Sequence, residues 1–376
     1  MQAVFAQTMR NLDASVIASG FCSGYELMRR AGTGAAEQIF TGVACPEKTL
    51  FMVLTGKGNN GGDGFVIAEV LLQKLVREYG ISESEVDEHI RVYTLCSDPL
   101  RELHGDALQA FQHMNGHLKD HLRFQLNAED VTDQAILIDA LLGTGFSGKL
   151  RDPIPDWISI INHSQAPVVS IDVPSGLSAD DGHVTDQAVR ADMTITFVLP
   201  KQGLLLGDGP AFAGRIHVCS LDLPDSFTQP VNDGLEAVDI SDALRSFPPD
   251  ARDTFKNRKG HTLVIGGSCN YPGAVFLSAE AALRAGSGLV TACIPEGTEI
   301  FFPIPKALIV RKVKTQSSGF YSPLSAEAVA ELLKNKQAAA IGPGLSTADG
   351  IAEFLKNLFP LLSCPVVLDA DALNLL

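Results

Sequence analysis

The sequence predicts an α/β protein with parallel sheets, divided into two domains. Short β-branched runs alternate with longer segments of helical periodicity, which is typical of strands joined by right-handed helical crossovers. The chain has 376 residues, 45% of them hydrophobic and 19% charged, and this length exceeds what one ordinary core requires. The alternation stops within residues 225–253, which are rich in proline, aspartate and serine. We therefore place a linker or domain boundary there.

Six strands and an intervening helix are predicted in the first domain, residues 1–224. The strands are apolar runs bounded by turn residues: Thr49–Leu54, Arg91–Leu95, Ala135–Leu141, Pro167–Val173, Met193–Leu199 and Arg215–Ser220. The amphipathic segment FVIAEVLLQKLVREYG lies between the first two strands and predicts a helix that begins near Gly64.

A second α/β series is predicted in residues 254–376. Its elements, in order, are HTLVIGGS, the helical GAVFLSAEAALRAGSG, LVTACIP, AAAIGPGL and PVVLDADALN. Glycine-rich turns follow two of the apolar runs, at residues 266–268 and 342–344. We expect backbone amides of these turns, Gly344 among them, to bind phosphate groups of a substrate.

Composition excludes several classes of function. A formal net charge of −15 argues against a nucleic-acid binder, because such proteins present a basic surface to the phosphate backbone. The seven cysteines form no CxxC pair, which fits isolated thiols in a reducing compartment. No run of about 18 apolar residues occurs, so no membrane span is expected. These observations predict a soluble, cytoplasmic protein that binds neither nucleic acid nor membrane.

The stretch TGKGNNGGDGF, residues 55–65, is a candidate phosphate-binding loop. It formally contains G-x-G-x-x-G between a strand and a helix, a weak signal by itself. No acidic residue stands at the spacing of a dinucleotide fingerprint, and no Lys-Ser or Lys-Thr completes a P-loop. Glycines nevertheless allow main-chain N–H groups and a helix amino terminus to approach an anion. We predict a pyrophosphate cradle; the alternative is a tight strand-to-helix turn.

Two further strands end in an aspartate and a glycine-rich turn, in LIDALLGTGFSGKL and VVSIDVPSGLSADDG. Parallel sheets bind ligands at the carboxyl ends of their strands, so one crevice is expected to collect Asn59, Asn60, Asp63, Asp139, Gly143, Gly145, Asp172 and Ser175. Oxygen ligands with few formal charges favour a monovalent cation such as K⁺ over zinc. The alternative for Asp139 and Asp172 is capping of the turns that follow them.

Three histidines at a spacing of four residues form a second candidate metal site. His113, His117 and His121 would share one face of a helix. No carboxylate partner is evident, and Gly116 weakens the helix. We expect a solvated helix face there.

The motifs YELMRRAG, GKGNNGGDGF, IDALLGTGFSG, DVPSGLSADDG and FVLPKQGLLLGDGPAFAG, in this order, resemble the NAD(P)H-hydrate epimerases across nearly all of residues 10–224. The later motifs KNRKGHTLVIGGS, YPGAVFLSAEAALRAGSGLVT, AIGPGLS and LDADALN resemble the amino-terminal portion of the ADP- or ATP-dependent NAD(P)H-hydrate dehydratases. The resemblance implies a Rossmann-like three-layer epimerase domain followed by a partial ribokinase-like α/β domain.

The activity implied by the resemblance is repair of NAD(P)HX, the hydrated form of NADH and NADPH. The first domain would interconvert the R and S hydrates, and the second would dehydrate the S form with ADP or ATP and Mg²⁺. The sequence ends before the dehydratases' histidine-proline-glycine-glutamate and Gly-Thr-Gly-Asp segments, so we expect these 376 residues to be part of a longer chain and to lack dehydratase activity. NADHX versus NADPHX preference and homo-oligomer formation stay open. The alternative function is a non-catalytic scaffold that binds a dinucleotide or a partner.

The resemblance also implies individual site residues in the first domain. The implied substrate contacts are Asn59, Asn60, Gly61, Gly62, Asp63, Gly143, Thr144, Gly145, Phe146, Ser147, Gly148, Lys149 and Asp172. The implied potassium ligands are Asn60, Asp139 and Ser175.

Asp172 is the predicted catalytic acid. Epimerisation at the hydroxyl-bearing ring carbon needs a proton donor for the departing hydroxyl and a carboxylate to stabilise the resulting cation. Ring opening through the nitrogen is a competing route. Lys201, in LPKQG, is expected to alter the pKa of Asp172 or to contact a phosphate; the alternative is a surface lysine at a turn.

Overall fold

A computed structural model describes residues 2–228, 234–238, 240–245, 247, 252–316 and 319–376. Contacts between Cα atoms divide the chain into two units, Met1–Arg245 and Ser246–Leu376. Part of the predicted boundary segment, residues 225–253, lies outside the described residues. The limits of the functional domains therefore stay a prediction.

The first unit contains a six-stranded parallel sheet. The strands of this unit are β1 (Gln2–Ala3), β2 (Leu50–Thr55), β3 (Ile90–Thr94), β4 (Ala135–Ala140), β5 (Val168–Ile171), β6 (Met193–Phe197), β7 (Arg215–Cys219) and β8 (Leu235–Glu236). Strands β1 and β8 form a separate antiparallel pair. The sheet order is β3-β2-β4-β5-β6-β7. All six predicted strands are confirmed, each within two residues of its predicted bounds.

Helices cover both faces of this sheet, and the predicted three-layer α/β class is confirmed. The helices are α1 (Ala6–Ala18), α2 (Gly24–Gly42), α3 (Asn59–Tyr79), α4 (Val86–His89), α5 (Pro99–Glu102), α6 (Gly105–His113), α7 (Gly116–Asp120), α8 (Ile154–His163), α9 (Gly209–Phe212), α10 (Asp225–Thr228) and α11 (Ile240–Arg245). Alternate residues of β2 enter different cores: Val53 packs with α2 and α3, and Met52 packs with Trp157 of α8. Every residue of β2 is buried, because a parallel strand covered on both faces has no solvent side.

The helix after β2 begins earlier than predicted, at Asn59 instead of near Gly64. Gly61, Gly62 and Gly64 therefore lie within its first turns, where Gly61 and Gly64 are packed too closely to accept a Cβ atom. A Cβ on Gly61 would stand 2.0 Å from the carbonyl oxygen of Gly56, and one on Gly64 would stand 2.9 Å from Cβ of Ala140. Close helix-to-strand packing thus accounts for these two glycines, as the alternative interpretation of a tight turn proposed.

The second unit contains a five-stranded parallel sheet in the order β11-β10-β9-β12-β13. Its strands and helices are β9 (His261–Ile265), α12 (Ala274–Arg284), β10 (Leu289–Pro295), β11 (Ile309–Val313), α13 (Ser325–Leu333), β12 (Ala338–Ile341), α14 (Ile351–Leu358), β13 (Val366–Leu368) and α15 (Asp371–Asn374). Leu263 of β9 packs on the face of α13 and α14, and Val264 packs on the face of α12. The expected α/β series is therefore confirmed, with β11, α13 and α14 added to it.

The three spaced histidines do not share one helix. Helix α6 ends at His113, and the separate helix α7 begins at Gly116, so the prediction of a common helical face was wrong. The rings of His117 and His121 stack with their centroids 4.1 Å apart. Among the described residues, no group of three or more histidine, cysteine, aspartate or glutamate side chains is arranged to hold a metal ion. No helix in the described part of the chain is long and apolar enough to span a bilayer.

Candidate active site

A cavity of about 860 Å³ lies at the carboxyl ends of the strands of the first sheet. In the sheet, β2 lies between β3 and β4. The connection after β2 leads to β3 on one side and the connection after β4 leads to β5 on the other, so the segments that follow β2 and β4 diverge. In doubly wound sheets this reversal of strand order is where ligands bind. Segments after all six strands reach the cavity, and α1 and α2 supply further wall.

Most of the predicted site residues line this cavity: Asn59, Asn60, Asp63, Gly143, Thr144, Gly145, Phe146, Ser147, Lys149, Asp172 and Lys201. Three predicted contacts, Gly61, Gly62 and Gly148, lie outside the lining. The Gly62 N–H donates to the Gly58 carbonyl at 3.1 Å, so it is occupied by the helix itself. Asp139 and Ser175 are fully buried beneath the cavity.

Asp172 and Lys201 form a buried ion pair in the cavity wall. Lys201 Nζ stands 2.5 Å from Asp172 Oδ1, and the Lys201 side chain is only 2% exposed. The ammonium group also donates to Thr196 Oγ1 at 3.0 Å and to the Phe197 carbonyl at 3.3 Å. All three of its protons therefore have acceptors, and the alternative of a surface lysine at a turn was wrong.

The backbone at Asp172 is strained. Its φ of 67° lies in the left-handed region, which non-glycine residues enter at a cost of about 1–3 kcal/mol. The Asp172 N–H donates to the Ile195 carbonyl at 2.7 Å, and the next N–H, of Val173, donates back to Ile171 at 2.8 Å. Glycine would relieve this strain, so an aspartate here indicates a role for its carboxyl group.

Two more carboxyl groups, of Asp63 and Asp13, line the cavity beside this pair. Burial raises the pKa of Asp63 well above its ordinary value, and the charges of Asp172 and Asp13 raise it further against the effect of Lys201. Burial likewise raises the pKa of Asp13 to about 6; Lys201 lowers it and Asp172 raises it. The cavity thus retains protons on carboxyl groups at a pH where exposed aspartates have lost them.

Asp13 was missed in the sequence analysis. The available signal was its helical spacing: Met9, Asp13 and Ile17 recur every four residues, and all three line the cavity from α1. An acidic residue in line with apolar ones on a helix is the pattern that marks it.

Basic side chains line other parts of the same cavity: Arg10, Lys57, Lys149 and Arg151. Arg10 Nη1 donates to the Thr144 carbonyl at 3.4 Å, and Lys57 forms an ion pair with Glu102. The amino terminus of α3, at Asn59, adds the positive end of the helix dipole to this basic part. This combination suits the phosphates of a dinucleotide even though the chain is acidic overall.

The three predicted cation ligands meet around the peptide of Leu142. Asn60 Nδ2 donates to the Leu142 carbonyl at 2.7 Å, and the Leu142 N–H donates to Ser175 Oγ at 2.9 Å. Ser175 Oγ in turn donates to Asp139 Oδ1 at 2.5 Å. Asn60 Oδ1 is buried and has no hydrogen-bond partner. Asn60 and Ser175 both contact backbone groups of Leu142, and the buried Asn60 Oδ1 without a partner is an oxygen of the kind that hard cations bind.

Asp139 also performs the turn-capping role that was its alternative interpretation. Besides Ser175 Oγ, its carboxylate accepts the Ser175 N–H at 2.9 Å, Ser170 Oγ at 2.8 Å and the Leu141 N–H at 3.3 Å. Burial raises its pKa, and these hydrogen bonds act in the opposite direction. The carboxylate thus connects the ends of β4 and β5.

In the second unit, the two glycine-rich turns bond to each other. Gly267 N–H donates to the Pro343 carbonyl at 2.9 Å, so it is not available to a phosphate. Gly344 has φ of 68°, and a Cβ there would stand 2.5 Å from the Tyr271 carbonyl oxygen. Backbone packing therefore explains this glycine, and its contact with substrate stays a prediction.

Comparison with known proteins gives matches along nearly the whole chain. The family model described as YjeF-related protein N-terminus matches residues 24–203, and the NAD(P)H-hydrate dehydratase model matches residues 262–376. The bifunctional NAD(P)H-hydrate repair enzyme Nnr of Coxiella burnetii is 35% identical over 370 residues, which are 98% of this chain and 70% of that protein. The corresponding enzyme of Salinibacter ruber is 33% identical over a 387-residue alignment, covering 99% and 69%.

A solved structure, the ADP/ATP-dependent NAD(P)H-hydrate dehydratase from Bacillus subtilis, is 25% identical with a TM-score of 0.29, covering 35% of this chain and 45% of that one.

Proposed function

Because the chain belongs to the family of bifunctional NAD(P)H-hydrate repair enzymes, we propose that its first unit epimerises hydrated NADH and NADPH. The substrates are the R and S forms of NAD(P)HX, which carry a hydroxyl on the ring carbon beside the nicotinamide nitrogen. The observation that carries the proposal is the buried Asp172–Lys201 pair in a cavity that also holds basic groups for phosphates. A scaffold without catalysis has no need of a strained, desolvated acid.

The chemistry starts with protonation of the ring hydroxyl. The C6–O bond then breaks, water leaves, and the lone pair of the ring nitrogen forms a C=N⁺ bond. The protonated form of Asp172 supplies the proton, and the carboxylate that results, held by Lys201 and Thr196, then stabilises the cation. Water that returns to the face it left regenerates the starting epimer, and water that attacks the opposite face gives the other epimer. Asp63, whose pKa is raised, keeps a further proton in the site.

The substrate's phosphates are assigned to the basic part of the cavity. Lys149 and the turn from Gly143 to Ser147 lie on the segment after β4, and Asn59 lies at the amino terminus of α3. These two segments border the divergence of β2 and β4, where doubly wound sheets bind nucleotides. This placement would leave the nicotinamide ring beside Asp172.

Potassium is proposed as the cofactor of the first unit, with Asn60, Asp139 and Ser175 as ligands. Support comes from the unpartnered Asn60 Oδ1 and from the hydrogen bonds that bring the three side chains together. A bound cation would hold the segments after β2, β4 and β5 in a fixed arrangement and offset nearby negative charge. It would take no direct part in moving the proton.

The second unit is proposed to take part in dehydration of the S hydrate with ADP or ATP and Mg²⁺, on the strength of the match over residues 262–376. The expected lack of this activity in these 376 residues stays a prediction. S hydrate incubated with the chain, nucleotide and Mg²⁺ is expected to recover no NADH absorbance above the buffer control, and nucleotide-dependent recovery would contradict it. We also propose a cytoplasmic location, consistent with seven free thiols.

The test of the epimerase proposal is interconversion of separated R and S hydrates, followed by chromatography, in K⁺ and in an equal concentration of choline. We expect each pure epimer to approach the same mixture faster with the chain than in buffer, and fastest with K⁺. No acceleration, together with calorimetric binding of the hydrates, would favour the non-catalytic scaffold.

A further inference from the structure

We propose that Asp13, on the amino-terminal helix α1, is a second catalytic carboxyl of the epimerase site and serves the face of the nicotinamide ring opposite to Asp172. This inference rests on the proposed epimerase function and deepens it. The two carboxyl groups reach one cavity from different walls: Asp172 from the end of β5, and Asp13 from a helix that precedes the sheet in the sequence.

Helix α1 is fixed against the strand end that carries Lys201. The Val4 N–H donates to the Pro200 carbonyl, and the Gln202 N–H donates to the Val4 carbonyl, both at 2.9 Å. The first N–H of the helix, from Ala6, donates to Asp180 Oδ1 at 2.6 Å. Two backbone bonds that flank Lys201 therefore set where α1 begins, and Asp13 follows two turns later.

The cavity-facing residues of α1 form one side of the helix. Met9, Asp13 and Ile17 are four residues apart, and Arg10 stands beside them. The apolar neighbours remove water from the carboxyl group, while Arg10 is occupied by Gln7 and the Thr144 carbonyl. Asp13 therefore faces the cavity in surroundings that favour its protonated form.

The charged groups around Asp13 prevent all the carboxyls from ionising together. Facing it are Asp172 from the end of β5, Lys201 beyond β6, Asp63 from α3, and Arg10 on its own helix. Lys201 and Arg10 carry two positive charges against three carboxylates, so full ionisation would leave excess negative charge in the cavity. With a pKa of about 6, Asp13 has both forms present near neutral pH, as a general acid and base requires.

Two carboxyl groups are what epimerisation at one carbon requires. One carboxyl donates its proton to the hydroxyl on its face, the C6–O bond breaks, and water leaves as the nitrogen lone pair forms C=N⁺. A second water attacks C6 from the other face, and the other carboxylate takes its proton. One water is released, one is added, and the proton has passed from one carboxyl to the other. A single carboxyl on one face would return water to the side it left.

The test uses Asp13→Asn in the full chain, with water enriched in ¹⁸O and with separated R and S hydrates. We expect interconversion to fall by about 10²- to 10⁴-fold. We also expect one epimer to keep exchanging its hydroxyl oxygen with retained configuration, because Asp172 still serves its own face. Asp13→Glu should restore part of the interconversion. A residue needed only for folding would not separate oxygen exchange from inversion.

The matched control is Asp106→Asn, which removes a carboxylate that borders the same cavity from α6 and is assigned no role; it should interconvert and exchange as the parent does. Interconversion at the parent rate by Asp13→Asn would overturn the inference, and so would equal loss of interconversion and of exchange from both epimers. An inactive parent chain would overturn the epimerase proposal and the catalytic role of Asp13 together. An active parent with an equally active variant would overturn the inference alone.

Discussion

Lys201 Nζ lies 2.5 Å from Asp172 Oδ1 and joins the carboxyl ends of the adjacent strands β5 and β6. The lysine is buried, and its other two acceptors are Thr196 Oγ1 and the Phe197 carbonyl. All of these groups lie at the carboxyl ends of the strands. A charge held this way depends on its partner, since an ammonium left unpaired in a protein interior is strongly destabilising. The pair therefore joins stability and the proposed catalysis in one contact.

Asp172→Asn is expected to lower the epimerisation rate by about 10²- to 10⁴-fold, because an amide can neither cycle a proton nor stabilise a cation. It should also cost about 3–5 kcal/mol of stability by leaving Lys201 unpaired. Trp157 is the single tryptophan and lies buried in the first unit, so its fluorescence reports unfolding of that unit.

The double variant Asp172→Asn/Lys201→Met separates the two effects. Removing both charges should restore much of the stability lost by Asp172→Asn and none of the epimerisation. An Asp172→Asn protein that is folded and active at the parent rate would show that the acid lies elsewhere.

Gly61→Ala is expected to destabilise the first unit by about 1–3 kcal/mol, the usual cost of overpacking. Its Cβ would lie 2.0 Å from the Gly56 carbonyl oxygen, and neither backbone segment can yield without moving α3 from the sheet. Gly58→Ala is the control, because a Cβ there meets nothing within 4 Å and φ is −99°. Urea denaturation followed through Trp157 compares them; equal midpoints would refute the packing explanation of Gly61.

Potassium is expected to raise the unfolding temperature of the first unit relative to choline at equal ionic strength. A cation at ten times its dissociation constant adds about 1.4 kcal/mol to the free energy of unfolding. Asn60→Ala should abolish this increment by removing Oδ1.

Ser170→Ala is the control for the potassium site. It removes a hydrogen bond to Asp139 Oδ2 without removing a proposed ligand, so it should lower stability in both salts and retain the difference between them. Identical unfolding temperatures of the parent chain in potassium and choline would exclude the site.

The stability difference between Asp13→Asn and the parent chain is expected to change with pH. The pKa of Asp13 is raised from 3.8 to about 6 in the folded state, so the folded protein binds a proton that the unfolded chain has released. The parent's free energy of unfolding should therefore decrease relative to the variant as pH rises from about 4 to 6. Urea midpoints at pH 4.5 and pH 7 measure the change, and a constant difference would contradict the raised pKa.

Prediction from the sequence was most accurate where a local pattern decides the structure. The six strands of the first sheet were located within two residues because apolar periodicity and turn residues are properties of adjacent positions. The parallel arrangement of the strands was enough to predict that the segments after Asp139 and Ile171 meet at one end of the sheet. The family resemblance added predicted roles that no periodicity contains, including those of Asn60 and Ser175 as potassium ligands, and these roles stay predictions.

Tertiary structure decided the surroundings of each side chain, and these depend on residues distant in the sequence. The start of α3 was predicted about five residues too late. The close approach of Gly61 to Gly56, which explains a glycine in the first turn of the helix, is visible only in the structure. From the sequence alone, Lys201 has the pattern of a turn residue; in the structure its side chain is buried beside β6 and Asp172. The helical spacing of Asp13 with Met9 and Ile17 is visible in the sequence, but its pKa rises only because Val4 and Asp180 hold α1 at the carboxyl ends of the strands. Desolvation and charge pairing are long-range properties of the folded chain, so no local pattern could supply them.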